Sequence, residues 1–248
     1  MMQPTGRNNN KSRRNSAFLF VRPAGRTCLE SARCAWSSIC LPVQTVVGID
    51  VGGKRKGFHA VALRGLNFIR TPDPSLDPAI IVAWCLEQNA TIVAVDAPSG
   101  WSQTGLSRQA ERELELLGKK IHCFATPKRE RAENHAKGFY DWVFNGEKLY
   151  MQLRKYYQLF VGERLKGKAC IETFPHAVVC FMEGRVISAR PKAVVRRKAL
   201  QDRGYDVRGL PNIDYVDAAI CAVAADKFHK NNYKSFGNRE EGFIIVPA

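Results

Sequence analysis

The stretch Thr45–Leu63, TVVGIDVGGKRKGFHAVAL, decides how this chain is read. It begins with TVVGID, a continuous apolar run rich in β-branched residues and suited to a strand buried on both faces. That run ends on an acid, Asp50, with Gly52 and Gly53 just beyond it. A buried strand ending on a carboxylate fits two chemistries: a glycine turn that cradles phosphate, or an acid that binds a metal ion. The residues placed beside Asp50 separate the two.

Working outward, FHAVALRG and LNFIRT read as two more strands joined at Arg64-Gly65, so the first three strands form a meander. Asp77 caps an amphipathic helix, PAIIVAWCLEQ. TIVAVD is a second buried strand, ended by Pro98. Helical apolar spacing is predicted over 107–119 and again over 147–165, the latter through Leu149, Leu153, Tyr156 and Phe160. HCFATPKRERAENHAKG, between them, reads as a long polar loop. ACIETF is a third buried strand. Helices follow from near Pro191, a favourable first-turn residue, and from near Asp214, and GFIIVPA closes the chain as an edge strand. Three strands, a helix, a strand, then alternating elements predict an α/β layer structure.

The 248 residues suffice for one sizeable domain or two small ones. Against 23 acidic residues stand 38 basic ones, a formal net charge of +15 that favours polyanionic partners. No apolar run approaches the roughly 18 residues a membrane span requires, and AFLFV is too short for the apolar core of a secretory signal. The eight cysteines, at 28, 34, 40, 85, 123, 170, 180 and 221, include no C-x-x-C pair. They read as reduced thiols in a cytoplasmic protein, without a zinc site. Residues 1–44 carry seven basic residues against one acid, Glu30, and are rich in Ser and Asn. They are expected to form a basic, disordered extension (a transit peptide, a basic arm or a mis-assigned start) ahead of a domain spanning 45–248.

Four segments put acids at the predicted core or its rim: Asp50 in VVGID, Asp96 in IVAVDAP, Glu172 in CIETFP, and Asp214 with Asp217 in IDYVDAAICAVAA. A buried unpaired carboxylate costs several kcal/mol, so each needs a donor, a cation or water. Singly, each is most simply a helix cap or a structural hydrogen-bond acceptor. If the strands of Asp50 and Asp96 are parallel neighbours, both acids enter the crevice beyond the strands' carboxyl ends. Asp214 and Asp217 lie three apart and share a helix face. Asp214 alone would serve as a cap, but Asp217 lies a turn further in, on a helix whose alanines let it approach a sheet closely. Converging carboxylates repel unless a cation neutralises them, and oxygen-only ligands suit Mg²⁺ or Mn²⁺. Two such ions about 3.5–4 Å apart assist phosphodiester hydrolysis. Arg108 and Arg112, one turn apart, and the basic loop residues Lys128, Arg129, Arg131 and Lys137 are candidates for gripping a nucleic-acid backbone.

GIDVGGKRKGFHAVAL, VAVDAPSGW, CIETFPHAVV, IDYVDAAICAVAA and the closing EEGFIIVP together resemble domain-of-unknown-function family 429, whose members are regarded as nucleases of the RNase H-like fold. The resemblance runs from about Val46 to Pro247. It implies a central mixed sheet flanked by helices, with Asp50 on the first strand and Asp96 at the end of the fourth. The helix of Asp214 and Asp217 is similar to the acidic C-terminal helix of RuvC-like Holliday-junction resolvases. By that resemblance Asp50, Asp96, Glu172, Asp214 and Asp217 form the catalytic set, with Asp50, Asp96 and Asp217 on the metal.

Two other functions compete. Actin-like sugar kinases share the Asp-x-Gly-Gly turn, but here it runs into KRKG, no second glycine-rich phosphate turn follows a strand, and a second domain is lacking. A nucleic-acid-binding protein of the same fold without hydrolysis would keep the basic charge and lose metal ligands, yet all five acids are present. The expectation is therefore a divalent-metal-dependent nuclease acting on DNA or RNA. The residue pattern leaves the choice between DNA and RNA, and the oligomeric state, open.

Overall fold

The computed structural model of the chain describes residues 44–248 apart from Arg164. The expectation of a disordered basic extension therefore lies, but for Gln44, outside the described residues. The described elements follow in chain order. Strands β1 (Thr45–Val51), β2 (Phe58–Arg64) and β3 (Asn67–Arg70) are followed by α1 (Pro78–Glu87), β4 (Ile92–Asp96) and α2 (Gln109–Glu113). A small hairpin, β5 (Glu115–Leu116) and β6 (Lys119–Lys120), leads to α3 (Arg129–Glu133) and α4 (Asp141–Leu153). Then come β7 (Gln158–Leu159), β8 (Ala169–Thr173), α5 (Pro175–Met182), α6 (Lys192–Gln201), α7 (Ile213–His229), β9 (Tyr233–Asn238) and β10 (Gly242–Pro247).

The main sheet runs β3-β2-β1-β4-β8-β10-β9, with β7 also pairing β8. The β1–β2 and β2–β3 pairs are antiparallel, as a meander requires, while β4 adds to β1 and β8 to β4 in parallel. Parallel neighbours need crossovers, and the helices between the strands supply them. The result is a mixed α/β sheet flanked by helices, as the family resemblance implies. One face carries α5, α6 and α7 over Val46, Ala94, Ile171 and Ile244. The other carries α1 and α4 over Val47, Ile49, Val93 and Val95. Burial on both faces is why β1, β4 and β8 read as unbroken apolar runs rather than alternating ones.

Several elements depart from the sequence reading. The helix predicted over 107–119 stops at Glu113, because Leu117 (φ 52°) and Gly118 (φ 73°) form a left-handed turn between β5 and β6. Leu117 is 81% exposed, so its apolar side chain carried a helical period without a core to face. The helix predicted over 147–165 runs instead from Asp141 to Leu153, after which Tyr157 and Phe160 reach the core from turn and strand-like backbone. The polar stretch after Ile121 is not wholly loop, since it holds α3 and a 3₁₀ turn, Ala136–Gly138. The closing strand β10 is interior, between β8 and β9, and β9 takes the edge. Its sequence, YKSFGN, lacks a core pattern because none of its residues is buried: Tyr233 and Phe236 only lean on the core and Lys234 and Ser235 are exposed. The short helix α5 lies in an apolar stretch too brief for periodicity to distinguish from a strand.

Candidate metal centre

Asp50 is the sixth residue of β1, and its Cα partner across the parallel β1–β4 pair is Asp96, the last residue of β4. Residues in register on adjacent strands project from the same face, so both acids point the same way. That face is the one α7 covers. Gly48, two residues before Asp50, meets α7 so closely that a Cβ there would lie 2.0 Å from the Ala218 carbonyl oxygen and 2.2 Å from the Ala222 nitrogen. This backbone-on-backbone approach, available to glycine alone, sets Asp217 of α7 over the ends of β1 and β4. Carboxylate oxygens of Asp50, Asp96 and Asp217 lie within 4.8 Å of one another.

Unit charges about 4 Å apart repel by about 4 kcal/mol at an effective dielectric near 20, more than an ordinary hydrogen bond returns. Burial, with Asp96, Asp217 and Asp214 adding repulsion, holds the Asp50 carboxyl well above the usual carboxylate range. Burial and then the Asp217 charge push Asp96 up to about 7. Among the described residues the side chains of Asp50 and Asp96 accept no hydrogen bond, although His59 Nδ1, itself without a partner, lies 3.9 Å from Asp50 Oδ2. Burial depresses the His59 pKa, so the ring is neutral at pH 7 and supplies no charge.

Asp217 is fully buried and held from α6. Its Oδ1 accepts from the Arg196 guanidinium, and Lys192 Nζ lies 2.7 Å from its Oδ2. The lysine contact is an ion pair without hydrogen-bond alignment, which leaves Oδ2 without a directed donor. Asp214 is not the cap of α7. Asn212 takes that role, its Oδ1 accepting from the Tyr215 nitrogen at 3.0 Å. Asp214 instead receives Lys56 Nζ on both oxygens, at 3.0 and 2.9 Å, and this hydrogen bond raises the Lys56 pKa. The glycine turn after Asp50 thus delivers a lysine to the start of α7.

Glu172 and Arg108 depart from the sequence reading together. Glu172 is in register with Val95 rather than Asp96 across β4–β8, so it leaves the sheet on the other face, and its oxygens are taken by the Arg108 guanidinium (2.5 and 2.9 Å) and by the Ser99 nitrogen and hydroxyl (2.7 and 2.8 Å). Arg108 is 1% exposed, and it also donates to Glu111 at 2.8 Å and to the Glu241 carbonyl at 3.1 Å. It faces the core rather than any substrate, and Glu172 is its counter-ion rather than one of the converging carboxylates. A buried charge persists only when paired in this way. The pair lines one cavity together with Asp96, Phe124, Trp142 and Phe174. Ser99 belongs to a turn that serves Glu172. The indole nitrogen of Trp101 donates to Glu147 at 3.0 Å.

The sequence profile described as "Protein of unknown function (DUF429)" matches residues 48–242. The chain belongs to this family. No curated protein sequence matches it. Among solved structures it is similar to Thermus thermophilus RuvC at 13% identity and a TM-score of 0.40, over 76% of this chain and 97% of that one. The DUF429 match encloses every residue of the carboxylate cluster and the cations around it.

Those cations are what the sequence reading of this DUF429 chain missed. Lys192 and Arg196 are four apart on α6 and so share a face. That spacing is visible in PKAVVRRKAL, but nothing local to it names Asp217 as the partner. Lys56 was visible too, in GGKRKG. Of the residues expected to grip nucleic acid, Arg112, Lys128, Arg129 and Arg131 are on the surface. Arg112 donates to the Ser107 carbonyl. Arg129 pairs with Glu133 and with Glu147, leaving less of its charge for a phosphate.

Proposed function

We propose that this protein is a divalent-metal-dependent nuclease, cleaving phosphodiester bonds of DNA or RNA at the Asp50–Asp96–Asp217 cluster. The observation that carries the reading is the convergence of three carboxylates within 4.8 Å, two of which accept no hydrogen bond among the described residues. A structural acid is satisfied by donors, as Glu172 is. Asp50 and Asp96 are not. The donor set is all carboxylate oxygen, which fits Mg²⁺ or Mn²⁺. Such an ion, when bound, activates water and stabilises the departing oxygen.

The chain's own residues supply the rest. Asp50 and Asp96 are fixed by strand register, Asp217 by the glycine contact and by Arg196. Lys56 ties Asp214 to the rim of the centre. The net charge of +15 supports a polyanionic substrate, with Arg112, Lys128 and Arg131 placed to meet its backbone. No described helix is long and apolar enough to cross a membrane. The five described cysteines are unpaired, which suits a reducing cytoplasm.

The test is a cleavage screen over single-stranded, duplex, hybrid and branched nucleic acids, with Mg²⁺, Mn²⁺ or EDTA. Metal-dependent cleavage by the parent, lost by orders of magnitude in Asp50→Asn, is the expected result. Metal-independent cleavage, or cleavage equal in both proteins, would refute the assignment.

A further inference from the structure

We propose that Lys192 and Arg196 act as built-in cations in the place of a second metal ion, so that the cluster takes a single divalent ion between Asp50 and Asp96. The inference rests on the metal reading above and narrows it to one ion where two would otherwise be expected.

The four acids at the centre fall into two classes. Asp217 has Arg196 on one oxygen and Lys192 Nζ 2.7 Å from the other, and Asp214 has Lys56 on both of its oxygens. Asp50 and Asp96, adjacent in register on β1 and β4, have neither a cation nor a hydrogen bond on their carboxylates. The counter-charges are therefore not spread over the cluster but concentrated on its α7 side. Arg196 is buried, so it cannot leave its carboxylate without stranding a buried charge. Lys192 is half exposed and reaches in from the α6 N-terminal turn.

Charge counting gives the same answer. Four carboxylates against Lys56, Lys192 and Arg196 leave one formal negative charge. One divalent ion turns that into a single positive charge, a small excess that a phosphate substrate would offset. A second ion would bring the excess to three, inside a buried centre where repulsion is weakly screened. It would also need an oxygen of Asp217, and both are already facing cations. The first ion meets no such competition, because its two ligands are the unengaged pair.

The test counts bound ions directly. Metal-free full-length protein is titrated with Mn²⁺, free and bound ion being separated by equilibrium dialysis, and the bound ion is examined by electron paramagnetic resonance. The parent is expected to saturate at one Mn²⁺ per chain with the spectrum of an isolated ion. Lys192→Met, which frees Asp217 Oδ2 and removes a positive charge, is expected to take a second ion and show the spectrum of a coupled pair. Lys192→Gln is the substitute if the methionine variant does not fold, and the same gain is expected of it. A parent that binds two coupled ions would overturn the inference while leaving the metal centre standing. Folded Lys192 variants that stay at one ion would also overturn it. A parent that binds no Mn²⁺, indistinguishable from Asp50→Asn, would overturn both this inference and the metal reading beneath it.

Discussion

Asp96 is held in a conflict that the metal-free chain can relieve only with a proton. Burial and Asp217 push its pKa up to about 7, against an ordinary value of 3.8. Between those values the folded chain binds more protons than the unfolded one, so stability falls as pH rises through the window. A shift of this size represents a few kcal/mol at most, shared with Asp50. Asp96→Asn removes the titration. Denaturant unfolding of metal-free protein should therefore show the variant gaining on the parent as pH goes from about 5 to about 8. An unchanging difference would mean that Asp96 is not under strain from its neighbours. Asp50→Asn probes the same conflict at fixed pH. With repulsion relieved, the metal-free variant should melt no lower than the parent. The parent alone should then gain stability with added Mg²⁺ or Mn²⁺ by mass action. A structural Asp50 gives the opposite pattern: a variant weaker by roughly 1–3 kcal/mol and an equal metal response in both.

Among the elements, α7 does most to bring the acids together, and Gly48 sets its distance from β1. An added methyl at Gly48 would collide with helix backbone at 2.0 Å, which no side-chain rotation relieves. Gly48→Ala should cost several kcal/mol, in the range of severe overpacking, and should abolish the metal-induced gain in melting temperature even in whatever fraction stays folded. A variant with parental melting and metal response would show that α7 does not depend on that contact. The elements that build the site were also the legible ones. TVVGID and TIVAVD announce buried strands because both faces of β1 and β4 are covered, and Asp77 announces α1 because its side chain accepts from the Ala79 nitrogen at 2.8 Å. What stayed hidden depends on partners distant in sequence. Arg108 and Arg112 look alike one turn apart, yet the first is buried on Glu172, 64 residues away, and the second is exposed. Likewise nothing around Lys192 and Arg196 tells that their acid is Asp217. β9 was hidden for another reason: at the sheet edge none of its residues is fully buried, so no run of it must be apolar.

At the scale of the whole molecule the question is how the basic charge is divided between the α/β domain and the residues before it. Removing residues 1–44 takes away seven basic residues and one acid, lowering the formal charge from +15 to +9. We expect the chain starting at Thr45 to fold with an unchanged melting temperature, because the core of the described residues is complete from β1 onward. The DUF429 match, too, begins at residue 48. Insoluble or unfolded truncated protein would put the domain boundary elsewhere. Nucleic-acid affinity then separates two roles for the removed charge. Each phosphate neutralised adds about 0.9 to the slope of log affinity against log salt on duplex DNA. If the first 44 residues grip the backbone, the truncated protein should bind more weakly at low salt and with a slope shallower by several units. If Arg112, Lys128 and Arg131 carry the grip, the slope should survive truncation and fall only when those three are replaced by alanine. The surface placement of the three beside α2 and α3 favours the second outcome. Affinity measured at three or more salt concentrations, for the parent, the truncation and the triple variant, distinguishes the two. A slope near zero in the parent would remove nucleic acid as the partner of this basic surface.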